Sequence, residues 1–261
     1  MASGFAGLAY AMMIGRRRSL GAEHFKPHNM TNVFLGTALL WFGWFGFNGA
    51  SAIGATPRAG MAAFVTTVAG ASGALAWTLI DALRTKKISG VGFCSGALAG
   101  LVGITPGSGF VAPWAAIVTG AITAACCNAG CMIKELLGAD DALDAFALHG
   151  VGGFVGCILA GIFAQKWVGL LDGAIINGGA IDGNPIQIAY QLAAAVSISA
   201  YSFIGTVIIL FVINKIPGLN LRYSLDDETI GGDLSEMGEV AYEVVDTNVT
   251  FPDMKKDDTV V

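Results

Sequence analysis

The stretch Asp140-Asp141-Ala142-Leu143-Asp144-Ala145-Phe146-Ala147-Leu148-His149-Gly150-Val151-Gly152-Gly153 decides how the chain is read. Three carboxylates lead into an apolar, glycine-rich run that carries one histidine. A titratable group inside a membrane-length apolar helix is costly, so His149 is a functional candidate if that run crosses a membrane.

The rest of the chain says that it does. Of 261 residues, 54% are hydrophobic and only 13% charged, with a mean hydropathy of +0.67. Soluble domains carry about 25% charged residues, and this balance is that of a polytopic membrane protein. The 37 glycines follow no collagen period and suit closely packed helices. Spans are expected at roughly 31–54, 61–83, 91–104, 112–133, 144–165 and 187–214. Ahead of them stands the apolar run 1–14. It reaches only about 21 Å as a helix, short of the ~30 Å hydrocarbon core, and so reads as a span cut off at its outer end. Its positive charges follow the apolar run, which is the reverse of a secretory signal. Residues 1–215 therefore read as a transmembrane domain of about seven helices, all-α, and 216–261 as a polar, acidic tail.

Charge placement agrees with seven alternating spans. One set of loops, with the near tail, holds Arg16, Arg17, Arg18, Lys26, Arg84, Lys86, Lys87, Lys134, Lys215 and Arg222, while the other holds Arg58 and Lys166. Lysine and arginine favour the cytoplasmic side, which puts the C-terminal tail inside. The sequons at Asn29 and Asn248 then lie inside and escape glycosylation. Gly96 and Gly100, Gly152 and Gly156, and Gly153 and Cys157 sit at the spacing that lets helix backbones approach. The five cysteines fall in apolar stretches and read as packing residues.

Three groups carry chemistry. Leu40, Trp44, Phe47 and Ser51 form one helical stripe. Its aromatic faces suit a small cation, and a serine hydroxyl accepts a hydrogen bond from one; an interfacial aromatic belt gives the same pattern. His149, with Ala145 and glycines around it, reads equally as the lining of a narrow polar path and as a buried histidine bonded to a neighbouring helix. Asp140, Asp141 and Asp144 suit the start of the His149 helix, where carboxylates satisfy free amides and complement the helix dipole. No second histidine lies in a span, and His24 and His28 flank Pro27 on a loop, so no metal site is expected. Nor is there a nucleophile triad, phosphate loop or dinucleotide fingerprint. The chain is therefore read as a non-enzyme needing no cofactor and binding no nucleic acid.

Residues 140–156 closely resemble the signature of the ammonium transporter family (Amt/Mep/Rh), on its Amt/Mep branch. Phe25-Lys26-Pro27-His28-Asn29, Gly43-Trp44-Phe45-Gly46-Phe47-Asn48, Cys94 through Pro106, Gly232-Asp233-Leu234-Ser235 and Ala241-Tyr242 fit the same family in order and spacing. The resemblance implies part of an eleven-helix fold, from its fifth helix onward, a homotrimer with one pore per subunit, and transport of ammonium or ammonia across a plasma membrane. It implies an outer substrate site at Trp44 and Ser51, a gate partner at Phe47, and pore-lining positions at Leu40 and Ala145. His149 becomes the second of a histidine pair, the first of which would stand immediately before Met1. Asp141 and Asp144 match the acidic residues that open the helix. A non-transporting sensor or a modulatory truncated subunit is the alternative. The acidic tail reads as a solvated end; the resemblance adds a second reading, in which its proximal part packs on the cytosolic face of the neighbouring subunit, a cytosolic regulator acts there, and phosphorylation of Thr229 or Ser235 changes the docking.

Overall fold

The computed structural model describes residues 1–17 and 27–240, apart from the side chains of residues 134 and 135. Arg18, His24, Phe25, Lys26, the Lys134 side chain, Ala241, Tyr242 and the Asn248 sequon lie outside this description. The chain divides into two units, Met1–Leu219 and Asn220–Val261.

The first unit is helical. Its elements are α1 (Ala2–Ile14), α2 (Met30–Gly49), α3 (Pro57–Thr85), α4 (Gly90–Ile104), α5 (Pro113–Leu136), a π-helical turn (Phe146–Val151) running into α6 (Gly152–Phe163), a short α7 (Lys166–Gly169) and α8 (Ile186–Ile213). Six helical segments, Met30–Ala52, Pro57–Thr85, Gly90–Gly107, Pro113–Ile133, Phe146–Phe163 and Ile186–Ile213, are long and apolar enough to cross a membrane. They coincide with the six expected spans to within a few residues, and α1 is the short apolar seventh.

Local chemistry sets the helix starts. The side chains of Asn29, Thr56 and Ser89 accept from the amides of Asn32, Ala59 and Gly92 and so open α2, α3 and α4. Pro57 follows Thr56 at the first helical position, where its missing N–H costs nothing.

The core lies among α3, α4, α5 and α6. Val65, Ala69, Leu101, Ile104, Ala115, Ala116 and Cys127 are fully buried there. Gly100 of α4 and Gly120 of α5 both press on the Ala69 carbonyl, where a methyl group on either would collide with it. The small-residue pairs thus do what their spacing predicts: Gly96 and Gly100 bring α4 onto α3, and Gly156 sits against Gly103. α2 and α8 are different. They leave most of their apolar surface outside the fold, with Phe42 75% and Tyr201 82% exposed.

One end of the bundle carries Arg16, Arg17, Lys86 and Lys87. There Arg17 makes a two-pronged contact with Asp140, Nε to Oδ2 at 2.8 Å and an outer nitrogen to Oδ1 at 2.7 Å. At the other end Arg58 Nε donates to Asp172 at 2.7 Å, and its guanidinium lies 5.0 Å from the centre of the Phe110 ring. The Arg58 guanidinium holds the Asp172 carboxyl below the usual carboxylate range. In the second unit, Ser224 caps a short α9 (Leu225–Ile230) and Arg222 pairs with Glu228 at 2.9 Å.

Candidate functional site

The acidic turn does not act as three equivalent caps. Asp141 is the cap: its two carboxylate oxygens accept from the amides of Ala145 at 3.1 Å and Phe146 at 2.8 Å. Asp140 belongs to Arg17. Asp144 lies outside the helix in the left-handed region, with φ of 54°. An aspartate tolerates that conformation better than most residues. The turn therefore carries one cap, one ion-pair partner and one bend.

Beyond the bend the backbone does not enter an α-helix directly. Phe146–Val151 is π-helical, and His149 sits inside it. Single π turns interrupting α-helices recur at functional sites because they displace a side chain from the regular spiral. Gly150 abuts the backbone of Gly4, which holds this turn against α1.

His149 opens onto a cavity of about 550 Å³. α2 contributes Leu39, Leu40, Gly43, Trp44 and Phe47 to its wall. The end of α4 contributes Val102, Thr105 and Pro106. The His149 segment and α6 add Gly153 and Cys157, and the start of α1 adds Met1 and Ser3. Apart from the imidazole, no acidic or basic side chain among the described residues lines it. Among the described residues the His149 ring makes no hydrogen bond, and it faces the cavity from the π-helical turn.

Leu40, Trp44, Phe47 and His149 thus meet at one cavity. The Trp44 and Phe47 rings lie 6.0 Å apart, tilted by 56°. Ser51 is not in the lining. It stands exposed where α2 tightens into a 3₁₀ turn, and its hydroxyl donates to the Phe47 carbonyl at 2.6 Å. Ala145 is also off the wall, half-buried one turn before His149 and against Gly7 of α1.

Several other wall residues carry no site role from sequence, Thr105 and Cys157 among them, and Cys157 reads there as a packing cysteine. The visible signal for Thr105 was a hydroxyl at the end of an apolar run, directly before Pro106. Trp44 Nε1 donates to Thr105 Oγ1 at 2.8 Å, which ties α2 to the end of α4. One turn further along α2, buried Asn48 donates to buried Thr66 of α3, also at 2.8 Å.

The Ammonium Transporter Family model matches residues 1–242. Ammonium transporter 1 of Schizosaccharomyces pombe is 51% identical over 244 residues, which cover 93% of this chain and 49% of that protein. Ammonium transporter MEP2 of Saccharomyces cerevisiae is 45% identical, covering 93% of this chain and 50% of its own length. The crystal structure of Candida albicans Mep2 superposes with a TM-score of 0.82 at 43% identity, over 86% of this chain and 50% of that one. A solved Sensor Amt Protein superposes with a TM-score of 0.78 at 30% identity, over 90% of this chain and 57% of that one. The chain spans about half the length of the curated relatives it matches. With its helical order, its signature stretch and these matches taken together, the chain belongs to the ammonium transporter family.

Proposed function

We propose that this chain supplies one wall of a transmembrane ammonium pathway, in a multi-pass protein of the plasma membrane whose tail faces the cytoplasm. The observation that carries the reading is the apolar cavity on which Leu40, Trp44, Phe47 and His149 converge.

In this reading ammonium is first held outside, at the Trp44 ring and the Ser51 hydroxyl. Ser51 already spends its proton on the Phe47 carbonyl, so its lone pairs are left to accept from the substrate. Aromatic faces attract the charge. Phe47 stands at the passage inward, and Leu40 and Ala145 flank the path. A bare ion in an apolar cavity pays a large desolvation cost. Ammonium escapes that cost by giving up a proton, which His149 accepts at a ring nitrogen and returns to ammonia on the far side. Potassium has no proton to give and is excluded. Asp141 serves by holding the start of the His149 segment, and Asp144 by bending the chain into it. The assembly is a homotrimer in a lipid bilayer, and the tail is where a cytosolic regulator acts.

Expression in yeast cells lacking their own ammonium transporters tests this. Growth on low ammonium and methylammonium uptake are expected when this chain replaces the matching half of a full-length relative, and His149→Ala in that hybrid is expected to abolish uptake or its selectivity over potassium. Unchanged selective uptake in His149→Ala would remove the proton relay.

A second reading is a sensor or modulatory subunit. The likeness to a Sensor Amt Protein favours it. It predicts no uptake by the chain alone, but altered uptake when the chain is expressed beside a full-length relative.

A further inference from the structure

Trp44 and Thr105 share one hydrogen-bond relay in the cavity wall. The Trp44 indole N–H donates to Thr105 Oγ1 at 2.8 Å, and that hydroxyl donates onward to the Leu101 carbonyl at 2.7 Å. Both residues line the cavity. An indole has one donor and no acceptor, and a threonine hydroxyl has one donor and two lone pairs. The relay therefore consumes the only donor of each residue and one lone pair of Thr105. What this wall has left is the indole π face and a single Thr105 lone pair. It can accept a hydrogen bond and attract a cation, and it cannot donate.

Thr105 is well placed to hold that arrangement. It stands at the C-cap of α4, next to Pro106, and its bond to the carbonyl four residues back is a local constraint on its own rotamer. With its hydroxyl so fixed, the acceptor is presented to Trp44 at a set angle.

We propose that Thr105 is the positioning residue for Trp44, and that the donor-free wall the two create selects a small ammonium-type cation carrying N–H donors over an alkali cation of similar size. The cation class rests on the reading of the cavity as an ammonium pathway; the positioning of Trp44 does not.

The test uses the chain purified in detergent with ¹⁵N-labelled tryptophan. It has five indole N–H signals, and Trp44→Phe identifies the one from Trp44. In Thr105→Val that signal is expected to move and its exchange with solvent to quicken by about threefold to tenfold, the range one neutral hydrogen bond sets. Thr105→Ser is expected to keep the wild-type signal. Titration with methylammonium chloride should shift the wild-type signal where potassium chloride does not, with a Kd raised by about threefold to tenfold in Thr105→Val and restored in Thr105→Ser. In transporter-deficient cells carrying the hybrid the methylammonium KM should rise in the same proportion, with kcat nearly unchanged.

An unmoved Trp44 signal in Thr105→Val overturns the positioning role. A moved signal with unchanged methylammonium affinity overturns the selectivity role, as does a wild-type signal that answers potassium and methylammonium alike. Absent uptake by the wild-type hybrid counts against transport, and the indole signal and the titration still decide the role of Thr105.

Discussion

Gly150 lies against Gly4, backbone to backbone, and this contact sets the depth of His149. Gly4 is ten residues from Ile14, the last residue of α1, which is about 15 Å of helix. The His149 turn therefore lies about 15 Å along α1 from Ile14, although His149 follows Asp144 by only five residues. The two facts agree because the acidic turn is drawn in beside the end of α1. Asp140 is held by Arg17, its side chain 7% exposed, while Leu143 points out at 84%. The contact tolerates no side chain, since a Cβ on Gly4 would meet the backbone of His149 and Gly150. Gly4→Ala is expected to cost about 1–3 kcal/mol through overpacking. Thermal unfolding in detergent should show it, and a melting temperature equal to wild type would mean that the two segments are not in contact.

Asp141 closes the N-terminus of the His149 segment through two amides, so its loss should be costly for that segment. Asp141→Ala leaves the Ala145 and Phe146 amides without their acceptor, a loss of about 1–2 kcal/mol for a cap. Faster hydrogen exchange confined to the amides of residues 145–148 is the expected sign. Exchange that rises uniformly along the chain would instead indicate a global effect.

Much of this was legible from the residues. The span positions followed from apolar run lengths, and the small-residue contacts from helical spacing. The convergence of Trp44, Phe47 and Leu40 on one wall followed from their stripe. Three features were not. The different jobs of Asp140, Asp141 and Asp144 depend on Arg17, a residue 123 positions away from Asp140. The π turn leaves no periodic trace, because it shifts the register for only a few residues. Thr105 could not be assigned either, since a threonine at the end of an apolar helix usually bonds its own backbone, and only the fold brings the Trp44 indole to it.

The Arg58–Asp172 pair gives a pH dependence of known sign. Its carboxyl has a lower pKa folded than unfolded, chiefly through the hydrogen bond from Arg58. Such a group contributes stability that is fully present above the unfolded value, about 3.9 for aspartate, and is lost as pH falls through the folded one. The melting temperature of wild type should exceed that of Asp172→Asn at pH 7. The gap should close only as the pH is taken below about 3.9. A gap that is already closed at pH 6 would show that the pair contributes nothing.

Asn48 and Thr66 form the second tie on α2, and their burial makes the outcome of mutation non-additive. Asn48 is 2% and Thr66 0% exposed. Asn48 Nδ2 donates to Thr66 Oγ1, which donates onward to the Ala62 carbonyl at 2.6 Å. Thr66→Val keeps the shape but strands the Asn48 amide in an apolar setting, at about 1–3 kcal/mol. Replacing both partners by apolar groups removes the stranded donor with the acceptor. Asn48→Leu combined with Thr66→Val should therefore unfold at a higher temperature than Thr66→Val alone. If the double variant is the less stable, by the sum of the two single losses, the two side chains do not act as a pair and α2 is held at this level by packing alone.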